Sequence, residues 1–194
     1  SEGDVTANED GTLSWTNDKD VTFKISGLSA SETKTDAGTS TVTVTGDAVV
    51  KAPDNTDVTA QFQITKVNGS LVINPASADS LGLSAEDYSG KYDGNSHSIS
   101  ASTTVTEGTT LYYSTKDPSS EDFDADTDWS TTPQTWTDVE MEGEGAEATP
   151  VSHTVYVKAE NDNYNTATAS ATVTITKRDV TMTSGDASKA YDGT

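Results

Sequence analysis

The residues best equipped for chemistry lie in one acidic run, Glu121-Asp122-Phe123-Asp124-Ala125-Asp126-Thr127-Asp128. Asp122, Asp124, Asp126 and Asp128 are spaced two apart, and alternating carboxylates can gather several hard oxygen ligands around calcium. The run lacks the glycine and the closing glutamate of an EF-hand loop, which leaves a solvated acidic loop as the other reading. A second set is aromatic: Tyr112, Tyr113, Trp129, Trp136, Tyr156 and Tyr164. Exposed Trp and Tyr faces stack on the apolar C–H surface of sugar rings, and nearby carboxylates accept hydroxyl hydrogen bonds. Tyr113, Trp129 and Trp136 are the expected glycan platform; packing in a core is the alternative for each, as it is for Trp15.

His97 and His153 are the two histidines, and neither has metal-ligand spacing. Ser and Asp abound, but no nucleophile elbow or oxyanion loop marks a triad, so both histidines read as residues at the ends of strands. Catalysis is not expected. Lys24, Lys66, Lys158 and Lys177 lie in strand-like runs where a Lys–Asn isopeptide bond could replace a disulfide, although the sequence selects no partner.

These residues must be held by something, and the chain offers strands. Its 194 residues carry 32 acidic and 11 basic side chains, a net charge of −21. Such a surface repels nucleic acid and anionic lipid, leaving cations as the charged partners. No apolar run reaches membrane-span length, so membrane insertion is not expected. Only 31% of residues are hydrophobic, a composition that borders on disorder, yet the apolar residues alternate with period two and Thr and Val dominate. There is no cysteine.

Strand signals recur at 12–16, 21–26, 40–46, 60–65 and 70–74, then at 97–102, 110–115, 135–139, 153–160 and 168–177. Asn68-Gly69 is a hairpin signal, because both turn positions favour positive φ; it should pair 62–65 with 71–73. Val155, Val157 and Ala159 should face one way, Tyr156 and Lys158 the other. Residues 77–87 lack alternation and read as a linker, with a short helical turn after Ser84. The polar stretches 116–129 and 140–149 read as surface loops.

One phrase occurs twice. Ser89-Gly90-Lys91-Tyr92-Asp93-Gly94 returns as Ser188-Lys189-Ala190-Tyr191-Asp192-Gly193-Thr194, roughly one domain length later. Asp-Gly supplies a tight turn and Tyr anchors the strand before it. The expected organisation is a β-sandwich repeat over 1–76 without its opening strand, the linker 77–87, a second repeat over 88–178, and the opening strand of a further repeat at 179–194. The fold class is all-β, as tandem immunoglobulin-like β-sandwiches, with a β-grasp arrangement as the alternative for one unit. Residues 179–194 are expected to exchange between chains, adding a strand to the first unit of a neighbour.

The order of the second unit's motifs carries a resemblance. Lys91-Tyr92-Asp93-Gly94, Leu111-Tyr112-Tyr113-Ser114-Thr115, Trp129-Ser130-Thr131-Thr132-Pro133, Val155-Tyr156-Val157-Lys158-Ala159 and Val173-Thr174-Ile175-Thr176-Lys177-Arg178 resemble bacterial Ig-like, MBG-type tandem repeats. Val21-Thr22-Phe23 and Val67-Asn68-Gly69-Ser70-Leu71-Val72-Ile73 resemble a second repeat type of the same proteins. The resemblance implies a secreted, cell-wall-associated protein of a Gram-positive surface. It implies a stalk or adhesion module without cofactor, with host or environmental glycans and glycoproteins and neighbouring repeats as partners. A carbohydrate-binding module is the alternative.

Overall fold

The computed structural model describes residues 5–193. Residues 1–4 and Thr194, assigned above to the first unit and to the closing phrase, lie outside the described residues. The fold is all-β, punctuated by three single turns of 3-10 helix. The chain divides into two compact units, Ser1–Pro75 and Ala76–Thr194.

In the first unit the strands are short. β1 (Val5–Ala7), β2 (Leu13–Thr16), β3 (Thr22–Ser26) and β7 (Val49–Lys51) form one sheet in that order. β4 (Ser29–Ala30) pairs with β6 (Val44–Thr45), and β5 (Gly38–Val42) with β8 (Gly69–Ile73), all antiparallel. Gly27 and Gly46 back onto each other at positive φ, 79° and 88°. A Cβ on Gly46 would stand 2.1 Å from the Gly27 carbonyl oxygen, so only glycine allows this approach. Val50 is the one fully buried apolar residue among the described residues of this unit. Trp15 is half-buried and meets Phe23 at 5.5 Å and Phe62 at 5.8 Å, centroid to centroid.

Two expectations fail here. Residues 60–65 form no strand: Thr59–Gln61 is a 3-10 turn, and the chain then runs without strand pairing to Gly69. The Asn68-Gly69 hairpin is therefore absent, and β8 reaches back to β5, Thr39 opposite Val72. The physical reason is a competing local bond. The Asp57 carboxylate accepts from the Thr59 N–H and hydroxyl, at 2.9 and 2.7 Å, which starts the 3-10 turn. Asn68 is drawn away as well, its Oδ1 accepting the Val44 N–H at 3.1 Å.

The second unit is built on two long strands, β15 (Ser152–Asn161) and β16 (Tyr164–Thr176). They form a hairpin flanked by β12 (Thr110–Ser114) on β15 and β10 (Tyr88–Lys91) on β16. β10 runs parallel to β16, Tyr88 opposite Val173 and Lys91 opposite Thr176. A second, two-stranded sheet of β9 (Ser84–Glu86) and β11 (Ser100–Ser102) brings Ala85 and Ala101 against the core; β13 (Met141–Glu142) pairs with β14 (Thr149–Pro150). Val155, Val157 and Ala159 face inward and are fully buried, with Val173 and Ile175 beside them. Of the strand expected at 135–139, a single bridge from Trp136 to His97 exists.

Residues 77–87 are not a linker. Ala78–Leu81 is a 3-10 turn, Leu81 is wholly buried against Ala159 and Ala167, and β9 supplies part of the second sheet. The helical turn expected after Ser84 is β9, and the turn that exists precedes it. Apolar residues at 81, 83 and 85 give this stretch a period of two, hidden among small polar residues.

The chain meets β16 at several points along its length. Ala76 bridges Tyr164 in parallel: its N–H donates to the Asn163 carbonyl at 2.9 Å and its carbonyl accepts the Asn165 N–H at 2.8 Å. Asp87 then accepts both the Thr172 N–H (2.7 Å) and hydroxyl (3.1 Å) in one carboxylate oxygen. β10 follows, and the Tyr92 N–H donates to the Thr176 carbonyl at 2.9 Å. The chain thus joins the second unit beside one end of β16 and leaves it from the other, about 40 Å along the strand.

Candidate functional site

The outer face of the second unit's main sheet carries part of the expected set. β15 turns Tyr156 and Lys158 outward because Val155, Val157 and Ala159 take the inner face. Register places Tyr112 and Thr168 on either side of Lys158, and Ser114 and Ser170 on either side of Tyr156. The loop 116–129 leaves β12 and returns at Ser130, which exchanges two backbone hydrogen bonds with Tyr113 at 2.7 and 2.9 Å.

The acidic loop folds on its own carboxylates. Asp128 accepts from the Lys116 ammonium and the Asp124 N–H, each at 2.9 Å. Asp124 accepts from the Asp126 N–H at 3.0 Å, and Asp117 from the Ser119 N–H and hydroxyl at 2.8 and 2.7 Å. Short side chains facing nearby N–H groups take these bonds readily. The Lys116 hydrogen bond holds the Asp128 carboxyl below the usual carboxylate range, and Asp128 in turn raises Lys116. Among the described residues no three carboxylate or imidazole groups converge to hold a metal ion. The calcium set Asp122, Asp124, Asp126 and Asp128 is thus not brought together; the oxygens of Asp124 and Asp128 serve backbone N–H groups and Lys116 instead.

The aromatic platform is divided. Tyr113 and Trp136 pack against the inner core, and Trp136 stacks on His153 at 4.7 Å. Burial raises the Tyr113 phenol above its ordinary pKa. Trp129 alone of the three belongs to the outer face. Phe123 meets its edge at 5.5 Å, and the Lys158 ammonium lies 4.9 Å from its centroid and 4.8 Å from that of Tyr112. Beside Trp129 opens a cleft of about 340 Å³, lined by Asp117, Pro118, Ser119, Tyr156, Thr168 and Ser170 among others. Burial, with the Asp117 charge next, raises the Tyr156 phenol; the Ser119 hydroxyl, above all, lowers Asp117. The cleft offers one indole, one phenol, one carboxylate and three hydroxyls, a set suited to hydrogen-bonding and stacking a polyol.

The histidines are more enclosed than strand ends would be. His97 stacks on Tyr88 at 4.1 Å with Nε2 2.9 Å from Asp93. His153 has Trp136 on one face and Glu140 at 3.4 Å. Each imidazole is held by a ring and a carboxylate. Of the lysines considered for a cross-link, Lys24 pairs with Asp10 at 2.7 Å, Lys66 donates to the Gly46 carbonyl and Lys158 pairs with Glu160 at 2.8 Å. The first copy of the repeated phrase is structural: β10, then a turn in which Asp93 accepts the Asn95 N–H at 2.9 Å, with Gly94 at φ 81°. That hydrogen bond, helped by His97, lowers the Asp93 carboxyl to about 2.

Sequence reasoning missed an apolar cleft of about 550 Å³ in the first unit, among Leu13, Trp15, Ile25, Leu28, Val50 and Phe62. The strand wrongly expected at 60–65 concealed it. Comparison of the chain with models of known families, with curated proteins and with solved structures finds no match.

Proposed function

We propose that this chain is a non-catalytic structural and adhesive repeat region of a secreted bacterial cell-surface protein. Its units act as immunoglobulin-like β-sandwich modules of a stalk anchored at a Gram-positive wall. The observation that carries the reading is the path along β16. Tension applied through the flanking chain pulls residues 76–91 toward one end of β16 and β16 itself toward the other. Parallel neighbours pulled in opposite directions are sheared, so the bonds of the β10–β16 ladder load together rather than one at a time, with the Asp87 bonds to Thr172 adjoining them. That arrangement suits a module whose work is to transmit force. The net charge of −21 keeps such a region soluble and resists collapse.

Pulling single molecules from their termini tests this. The second unit should release about 300 Å of chain in one step, the extended length of about 100 residues less the folded span. It should do so at a higher force than the first unit. Gradual extension of the second unit at low force would sink the reading.

The Trp129 cleft favours a second reading, a carbohydrate-binding module. Soluble polysaccharides should then quench and shift the Trp129 emission, and Trp129→Phe should abolish the change. Trp136, covered by His153, should not respond.

A further inference from the structure

We infer that a second copy of this chain adds residues 187–190 as a parallel strand to the free edge of β8, joining copies head to tail. The argument starts from the repeat. Leu71-Val72-Ile73, which close β8, and Val173-Thr174-Ile175 of β16 share one inward–outward alternation of burial, and each precedes a Tyr-Asp-Gly phrase by a similar distance. In the second unit the phrase that covers β16 is at hand. β10 lies along residues 173–176, and the next N–H, that of Tyr92, closes on Thr176. In the first unit β8 pairs with β5 alone among the described residues, so its other edge presents a row of unmet N–H and C=O groups.

Burial follows the same division. Val173 and Ile175 are fully enclosed, whereas their counterparts Leu71 and Ile73 are half-buried and Val72 is 55% exposed. The second copy of the phrase is available. Residues 177–193 form no strand, and Val180, Met182 and Tyr191 are 81, 92 and 94% exposed.

The side chains of the closing phrase fit the role. In β10 a Cβ on Gly90 would stand 2.5 Å from the Tyr88 hydroxyl oxygen, so any side chain there would push the Tyr88 ring aside. Aligned on Tyr191, the closing phrase has Ala187 at the Tyr88 position and Lys189 at the Gly90 position. Ala187 has no ring to displace, so Lys189 meets no such contact at the equivalent place. Transferring the β10–β16 register places Ala187 opposite Leu71, Ser188 opposite Val72, Lys189 opposite Ile73 and Ala190 opposite Asn74. The contact is heterologous, so it extends into oligomers unless the rotation closes. Each copy carries the same negative charge, so repulsion opposes association and added salt should strengthen it.

The chain has no cysteine, which makes the register directly testable. Val72→Cys and Ser188→Cys chains, mixed and oxidised, should form a disulfide-linked heterodimer at least tenfold faster than Leu71→Cys with Ser188→Cys. A one-residue slip turns the thiols to opposite faces. Sedimentation of the unmodified chain from micromolar to millimolar concentration should show a rising mass. Tyr191→Pro, which removes the N–H equivalent to that of Tyr92, should weaken association at least tenfold. Tyr191 lies in no strand of the folded units, so this variant leaves the fold intact. A mass that stays monomeric throughout, equal rates for the two cysteine pairs, or a doubly substituted chain that cross-links only within itself would each overturn the inference.

Discussion

The two units share an alphabet of Thr, Val and Ser but differ in what they bury. Among the described residues the first encloses one apolar side chain fully, Val50, and the second encloses nine, from Leu81 to Ile175. Strand length is the cause. β15 and β16 run for 10 and 13 residues, so each alternation repeats often enough to build a continuous inner face. Among the described residues no strand of the first unit exceeds five residues, and its apolar side chains remain half-open around a cleft. The first unit relies more on backbone contacts such as Gly27 against Gly46 and on its aromatic trio. The comparison teaches that β-propensity without length supplies strands but not a closed core.

Heating should separate the units, the first unfolding below the second. The largest effect should come from Leu81→Ala. Loss of a fully buried Leu costs about 2–5 kcal/mol, so the upper calorimetric transition should fall sharply while the lower one holds. If only the lower transition moved, the assignment of residues 77–87 to the second unit would be wrong. Next comes Gly46→Ala, where a β-carbon meets backbone that cannot retreat at a φ of 88°. A loss of about 1–3 kcal/mol, confined to the lower transition in urea or heat, is expected. Asp87→Ala should cost the second unit about 1 kcal/mol at equilibrium. It should also lower the rupture force, since the carboxylate ties the chain to β16 just before the β10 ladder begins.

The smallest effect is acid dependence. Asp93, Asp117 and Asp128 have lowered pKa values in the folded second unit. Their contribution is complete above the unfolded carboxylate pKa of about 4 and is lost as pH falls through the folded values. Asp93, at about 2, should titrate well below the usual carboxylate range by carboxyl NMR. In the first unit Asp10, Asp54 and Asp57 are lowered as well, Asp10 by Lys24 foremost, so acid should not selectively spare that unit.

Much of the second unit was legible because long alternation is redundant. Val155, Val157 and Ala159 point inward as their spacing requires, and one misread residue would not change the pattern. The first unit was less legible because its segments are short. Residues 60–65 alternate as a strand would, yet the Asp57–Thr59 bonds turn the chain and Phe62 goes to Trp15 and Phe23. The site divided along the same line. Trp129 followed from its residue type, but nothing local distinguished it from Tyr113 and Trp136, which the core claims.

By itself, the sequence determined the class of structure, the sign of the charge and the repeated phrase, since each is a property of composition or period. Tertiary structure decided the partners. It paired β8 with β5 instead of the adjacent segment, drew residues 77–87 into a core, laid β10 parallel to β16 and spent the Asp124 and Asp128 carboxylates on the acidic loop's own backbone. Those outcomes depend on which distant groups compete for the same hydrogen bonds and the same buried space, and that competition exists only once the chain has closed on itself.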